Sequence, residues 1–225
     1  MVEISPDLQR YIKKLDEEEV RLRGAGGNEI DDETFQRLLS LGVVIPSVYA
    51  FSFDGKAVLL AGKVGRGASS VFDKFVRLYP DRARILSENN PTVYQQQTGN
   101  KPVVYYDDTH SQEYPFFVPF LYPGSAEEFP LEYIFHLRPS SGLKIIREGS
   151  KASAIGSMVF WLETRESSRR LNAMFAQVKC YEVLEPSWYG IDPSKQDAFS
   201  QRFSASADQN LEKIVAEMAG RMTTL

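Results

Sequence analysis

The segment Tyr49-Ala-Phe-Ser-Phe-Asp-Gly-Lys-Ala-Val-Leu-Leu-Ala61 constrains the fold more than any other part of the chain. Two runs of strand-forming residues flank Asp54-Gly55. That dipeptide is favoured in two-residue hairpin turns, because both turn positions need positive φ. The turn sets a register in which Phe53 faces Lys56, Phe51 faces Val58 and Tyr49 faces Leu60. Tyr49, Phe51 and Phe53 then alternate onto one face, which other elements must cover.

Helical patterns precede the hairpin. Pro6 to about Leu22 carries Pro in its first turn and Ser5 as N-cap. Asp31 to Leu41 is capped by Asp31 or Asp32 and closed by Gly42. After the hairpin, Lys63-Val-Gly-Arg-Gly67 leads to a helix at about Ser69 to Tyr79. Thr92 to Gln97 and Pro102 to Tyr106 read as a second hairpin across a Thr98 to Lys101 turn. Leu131 to Leu137, Leu143 to Arg147 and Ser157 to Leu162 read as strands. Arg165 to Gln177 reads as a helix and Lys179 to Leu184 as a last strand. A long amphipathic helix is expected from about Ser194 to Met222, with Phe199, Phe203, Leu211, Ile214 and Met218 on one side. Consecutive hairpin-joined strands imply an α+β fold with a mainly antiparallel or mixed sheet. One domain over residues 1–225 is expected, with 1–42 as a helical N-terminal elaboration.

Composition narrows the function. A chain of 225 residues, 43% apolar, can bury a core without disulfides. Cys180 is the only cysteine, so no intrachain disulfide forms. A net charge of −4 argues against generalised nucleic-acid or membrane-surface binding. The start of the sequence lacks the pattern of a secretory signal, and no apolar run is long enough to span a bilayer. A cytoplasmic protein or a component of a virion fits these features. His110 and His136 are the only histidines, which leaves little room for histidine-based catalysis or zinc binding. No cofactor and no metal site are expected.

Several segments carry possible chemistry. Gly62-Lys-Val-Gly65-Arg-Gly67-Ala-Ser-Ser70 precedes a helix, where backbone N–H groups can cradle an anion. It matches neither GxxxxGK[ST] nor GxGxxG, and a connector from strand to helix is the simpler reading. Asp107, Asp108 and Glu113 are read as solvated carboxylates rather than a cation site. Cys180 is read as buried and inert. Lys144, Arg147, Lys151, Arg165, Arg169 and Arg170 form a candidate basic patch for phosphates or an acidic partner. Tyr114, Phe116, Phe117, Phe120 and Tyr122 crowd an aromatic–proline segment that is either a plug in the core or a partner-binding surface.

The hairpin with its basic lead-in resembles the opening of GIY-YIG nucleases. Ser47-Val-Tyr49 and Leu60-Ala-Gly62-Lys63 carry the likeness, over some 30 of the 225 residues. The resemblance implies a catalytic role for Tyr49, with Arg66 as the family arginine. Leu60 stands where the family has its second tyrosine, and no glutamate falls on a suitable later helix. A fainter likeness to ADP-ribosyltransferase folds rests on His136, the Gly142 to Gly149 stretch and Val159-Phe-Trp161. Two functions follow. The first is a non-enzymatic binding or assembly protein docking onto other protein chains, self or hetero, through the aromatic segment and the C-terminal helix. The second is an enzyme acting on nucleic acid or a nucleotide, although the acidic composition gives nucleic acid no support as a partner.

Overall fold

The structure, a computed structural model, describes residues 4–17, 32–62, 68–88, 90–97, 100–106, 118–121, 126–140, 145–158, 165–186 and 211–223. In chain order these form α1 (Pro6–Glu17), α2 (Asp32–Ser40), β1 (Val43–Val44), β2 (Tyr49–Phe53), β3 (Lys56–Ala61) and α3 (Ala68–Leu78). Next come β4 (Ala83–Ser87), β5 (Val93–Tyr94), β6 (Val103–Tyr106), α4 (Val118–Leu121) and β7 (Glu127–Ser140). They are followed by β8 (Ile145–Glu148), α5 (Lys151–Met158), α6 (Arg165–Met174) and β9 (Lys179–Pro186). Residues 211–223 form α7. The fold is α+β on a mixed sheet.

The β2–β3 hairpin has the register that its turn dictates, with Phe53↔Lys56, Phe51↔Val58 and Tyr49↔Leu60 paired. Asp54 and Gly55 both take positive φ, 49° and 75°. Arg82 reinforces the turn with two bonds to the Asp54 carboxylate, at 2.9 and 2.6 Å. That contact holds the carboxyl of Asp54 below its ordinary range.

The nine described strands run β1-β5-β6-β7-β3-β2-β4, with β9 also on β7 and β8 on β9. Most pairs are antiparallel. The exceptions are central: β3 is parallel to β7, and β7 is parallel to β9.

Alternation along these strands feeds two clusters. Phe51, Phe53, Val58, Leu60, Phe135, Leu137 and Val183 pack under α3 and α7. There Phe51 and Phe53 lie 4.5 and 5.2 Å from the Phe75 ring. On the other face Ala57, Leu59, Ala61, Ile134 and Cys180 pack with residues of α2, α5 and α6. A third cluster joins Leu8, Ile12 and Leu15 of α1 to Tyr94, Tyr105 and Phe120.

One expectation is corrected. The strand expected from Ser157 to Leu162 is not present at its start, since Ser157 and Met158 end helix α5. Ser150 caps that helix, its Oγ accepting from Ser153 N at 3.4 Å, and Lys-Ala-Ser-Ala-Ile has no strand alternation. Residues 159–164 lie outside the described residues. Phe120 belongs to the segment read as either a plug in the core or a partner-binding surface. It is 3% exposed, in α4, and its ring stands 5.6 and 5.7 Å from those of Tyr94 and Tyr105. Proline in Val-Pro-Phe-Leu is tolerated because it sits in the first turn of a short helix.

Strands β1 and β4 were not anticipated, being a two-residue pairing and a run interrupted by Arg84. Of the expected C-terminal helix, 211–223 is helical and 194–210 lies outside the described residues. No described helix is long and apolar enough to cross a membrane.

Candidate functional site at the C-terminal edge of the parallel strands

β3 ends at Ala61, and the parallel strands β7 and β9 beside it run on for four more residues, to Ser140 and Pro186. Ala61 of β3 pairs with His136 of β7, and His136 pairs with Glu182 of β9. Antiparallel β8 adds Arg147 opposite Glu182. Ala61, His136, Glu182 and Arg147 therefore form one row across four strands, one residue below the start of the glycine-rich stretch at Gly62. Arg138 lies two residues beyond His136 on the same face.

Glu182 is the centre of this row. Its side chain is 5% exposed, and both carboxylate oxygens are occupied. Arg138 Nη1 donates to Oε1 at 3.0 Å. Arg147 Nε and Nη2 donate to Oε2 at 3.0 and 2.7 Å. Burial raises the Glu182 carboxyl, but the bonds from Arg147 and Arg138 outweigh it and hold the group below the usual carboxylate range. The guanidiniums stay 46% and 57% exposed, so they are the cover over the carboxylate while remaining open to solvent. The result is a pair of solvent-open cations presented beside the end of β3.

His136 is 6% exposed. Burial and the charge of Arg138 lower its pKa, against the pull of Glu182, which favours the neutral ring. Its Nδ1 has no partner among the described residues. Gly149 supports the row from below. Its N–H donates to the Cys180 carbonyl at 2.9 Å, and a Cβ there would meet Glu182 N at 2.8 Å. Only a glycine lets β8 turn this close to β9. Burial pushes the Cys180 thiol up to about 11, which keeps it unreactive.

The connections leave this edge on opposite faces. The chain from β3 leads to α3, on the face of Phe51 and Phe135. The crossover from β7 to β9 carries α5 and α6, on the face of Ile134 and Cys180. The gap between β3 and β7 is thus a topological switch point, the place where open α/β sheets bind ligands.

The other sequence candidates are distributed as follows. Arg147 is in the row. Lys151 begins α5 and donates to the Ala176 carbonyl. Arg165, Arg169 and Arg170 lie exposed on α6, where Arg170 pairs with Glu166 at 3.0 Å. Tyr49 packs on Phe72, ring centroids 5.0 Å apart, as part of the cluster under α3. Arg66, Lys144, Tyr114, Phe116, Phe117 and Tyr122 lie outside the described residues, as do His110, Asp107, Asp108 and Glu113. No group of three or more metal-ligating side chains occurs among the described residues.

Sequence reasoning missed Glu182 and Arg138. The available signal was weak: a glutamate inside Lys-Cys-Tyr-Glu-Val-Leu, where alternation places it on an inner face. Without strand order nothing indicates that two arginines meet it.

Tyr49→Phe is expected to change stability by less than about 0.5 kcal/mol, since the ring contact with Phe72 remains. Thermal denaturation checks this. Loss of a metal-dependent cleavage activity in the same variant would instead revive a catalytic role for Tyr49.

No protein-family model matches the chain, and no curated protein sequence matches it. Among solved structures, the HPr(Ser) kinase/phosphatase from Coxiella burnetii aligns over 81% of this chain and 99% of its own, with 8% identity and a TM-score of 0.38. At that level the likeness carries no argument about what this chain does.

Proposed function

We propose that the chain binds a phosphorylated ligand, a nucleotide by size, at the C-terminal ends of β3 and β7. The observation that carries this reading is the switch point between those strands, with Gly62 on one side and Arg138 on the other. From β3 to β9 is two strand spacings, about 10 Å, which suits a nucleotide better than a lone phosphate.

The sequence around Gly62 supports it. Gly62 and Gly67 have the GxxxxG spacing of a phosphate-binding loop, after a strand and before a helix. Ala68 stands where that loop carries the lysine that reaches the β- and γ-phosphates, and Ser69 follows. The positive charge must then come from elsewhere, and Arg138 and Arg147 supply it. Lacking that lysine, the site is built for binding rather than for rapid phosphoryl transfer. This narrows the enzyme reading to a nucleotide-binding one, favoured over the nuclease mechanism because the Tyr49 ring packs on Phe72.

The test is calorimetric titration with ADP and with inorganic phosphate. Arg138→Ala is expected to weaken ADP binding about tenfold, the loss of one charge-assisted contact, and to lower stability by about 1.5 kcal/mol, since Glu182 Oε1 loses its donor. Equal binding by the variant and the parent would sink the reading. Association with other protein chains is a separate proposal resting on the aromatic–proline segment, of which Phe120, the one described candidate, keeps its ring in the core. Solution mass across a concentration series tests it.

A further inference from the structure

We propose that Arg138 is a releasable arm and His136 its reserve: an anion at the strand ends draws Arg138 off Glu182, and His136 takes a proton from solvent and donates it in a hydrogen bond to the vacated carboxylate oxygen. This rests on the anion-binding reading above.

The clamp on Glu182 is asymmetric. Arg147 holds Oε2 through two N–H groups, whereas Arg138 holds Oε1 through one. Arg138 is also 46% exposed and sits nearer the strand end, so it is the arm that a ligand can take. Releasing it leaves Oε1 occluded and unpaired, which is unfavourable unless another donor replaces it.

His136 is the neighbour placed to do so. It is the register partner of Glu182 on the adjacent parallel strand, with its side chain on the same face. Its Nδ1 is buried without a partner among the described residues, an uncommon condition for a polar atom. A spare donor for Glu182 accounts for an atom that is otherwise unexplained.

The charges around the ring favour the exchange. Among the described residues, its own strand presents Arg138, β9 presents Glu182 and Cys180, β8 presents Arg147, and α5 begins with Lys151. The adjoining residue of β3 is Ala61, which is uncharged. Burial, and after it the charge of Arg138, keep the proton off His136, and Glu182 attracts it. Departure of Arg138 removes the opposing charge and leaves the attraction. His136 is therefore a positioning residue, acting on the ligand through Glu182.

The experiment is nitrogen-15 NMR of the imidazole rings at neutral pH, titrated with sulfate and with ADP. The chain has two histidines, so a His110→Gln variant assigns the signals. Conversion of His136 from neutral ring to imidazolium on saturation is the expected result, and it is read on the parent chain without any change at the site. His136→Leu should weaken ADP binding about tenfold, and His136→Asn, which restores a neutral donor, should return it to within about threefold. A ring that stays neutral while either probe binds overturns the inference and leaves the anion site standing. Binding of neither probe overturns both.

Discussion

Glu182→Ala is expected to lower the stability of the chain by about 3 kcal/mol, read as a shift in denaturant midpoint. The substitution removes an occluded carboxylate that accepts three charge-assisted hydrogen bonds. Each such bond contributes about 1.5–3 kcal/mol. The sum is discounted, because both guanidiniums are half exposed and regain water once the carboxylate is gone. The converse change is a useful control. Replacing Arg138 and Arg147 together by methionine leaves the carboxylate occluded with neither of its two ion-pair partners. It should cost at least as much, since an uncompensated buried charge is worse than two rehydrated ones.

The pH dependence follows from the same contacts. An unfolded glutamate titrates near 4.5, and the folded Glu182 carboxyl lies lower. Its contribution is complete above that pH and is lost as pH falls through the folded value, where both states are protonated. His136 acts earlier in the same direction. Its folded pKa lies below the ordinary 6.5, so its contribution is present above that pH and is lost as pH falls through the lower value. Acid denaturation of the parent should therefore be steeper than that of Glu182→Ala, which keeps only the histidine part. Equal acid sensitivity of the two would show that the clamp holds no native-state charge.

The parts of the fold legible in the sequence are those that local chemistry decides. Asp54-Gly55 dictates positive φ at two positions, and the cross-strand partners of β2 and β3 follow from that alone. Ser5 and Pro6 start α1 for equally local reasons: the Ser5 hydroxyl accepts from Leu8 N at 3.2 Å. The start of the strand expected from Ser157 to Leu162 was misread because Met158-Val-Phe-Trp-Leu162 is a short apolar run, and such a run cannot be told from a buried helix segment by periodicity alone. The site was illegible for a different reason. His136, Arg147 and Glu182 are spread over some 46 residues, and only the parallel insertion of β7 between β3 and β9 brings them into one row. Hairpin signals report antiparallel neighbours, and nothing local encodes a parallel pair. The glycine-rich stretch shows the same limit. Its spacing is visible in the sequence, but its meaning depends on lying at the end of a central parallel strand.

The second large effect is expected at Gly149, whose replacement by alanine should cost about 3 kcal/mol and also weaken ADP binding. The added methyl would lie 2.8 Å from Glu182 N, 2.9 Å from Tyr181 C and 3.0 Å from Glu182 Cγ. Two of these are backbone atoms in the middle of β9, which cannot turn aside as a flexible side-chain tip can. Overpacking of this kind costs about 1–3 kcal/mol, and the upper end applies because β9 is tied to β7 along eight registered pairs. Relief must come from moving β8 outward, which draws Arg147 away from Glu182. Stability and binding should fall together for that reason. Gly156→Ala supplies the contrast within the next helix. Gly156 is exposed in α5 and a Cβ there meets nothing within 4 Å. That change should raise stability by about 0.5–1 kcal/mol through helix propensity and leave binding unchanged. If both glycines behaved alike, the close approach of β8 to β9 would not be what positions Glu182, and the clamp would have to be held by the arginines alone.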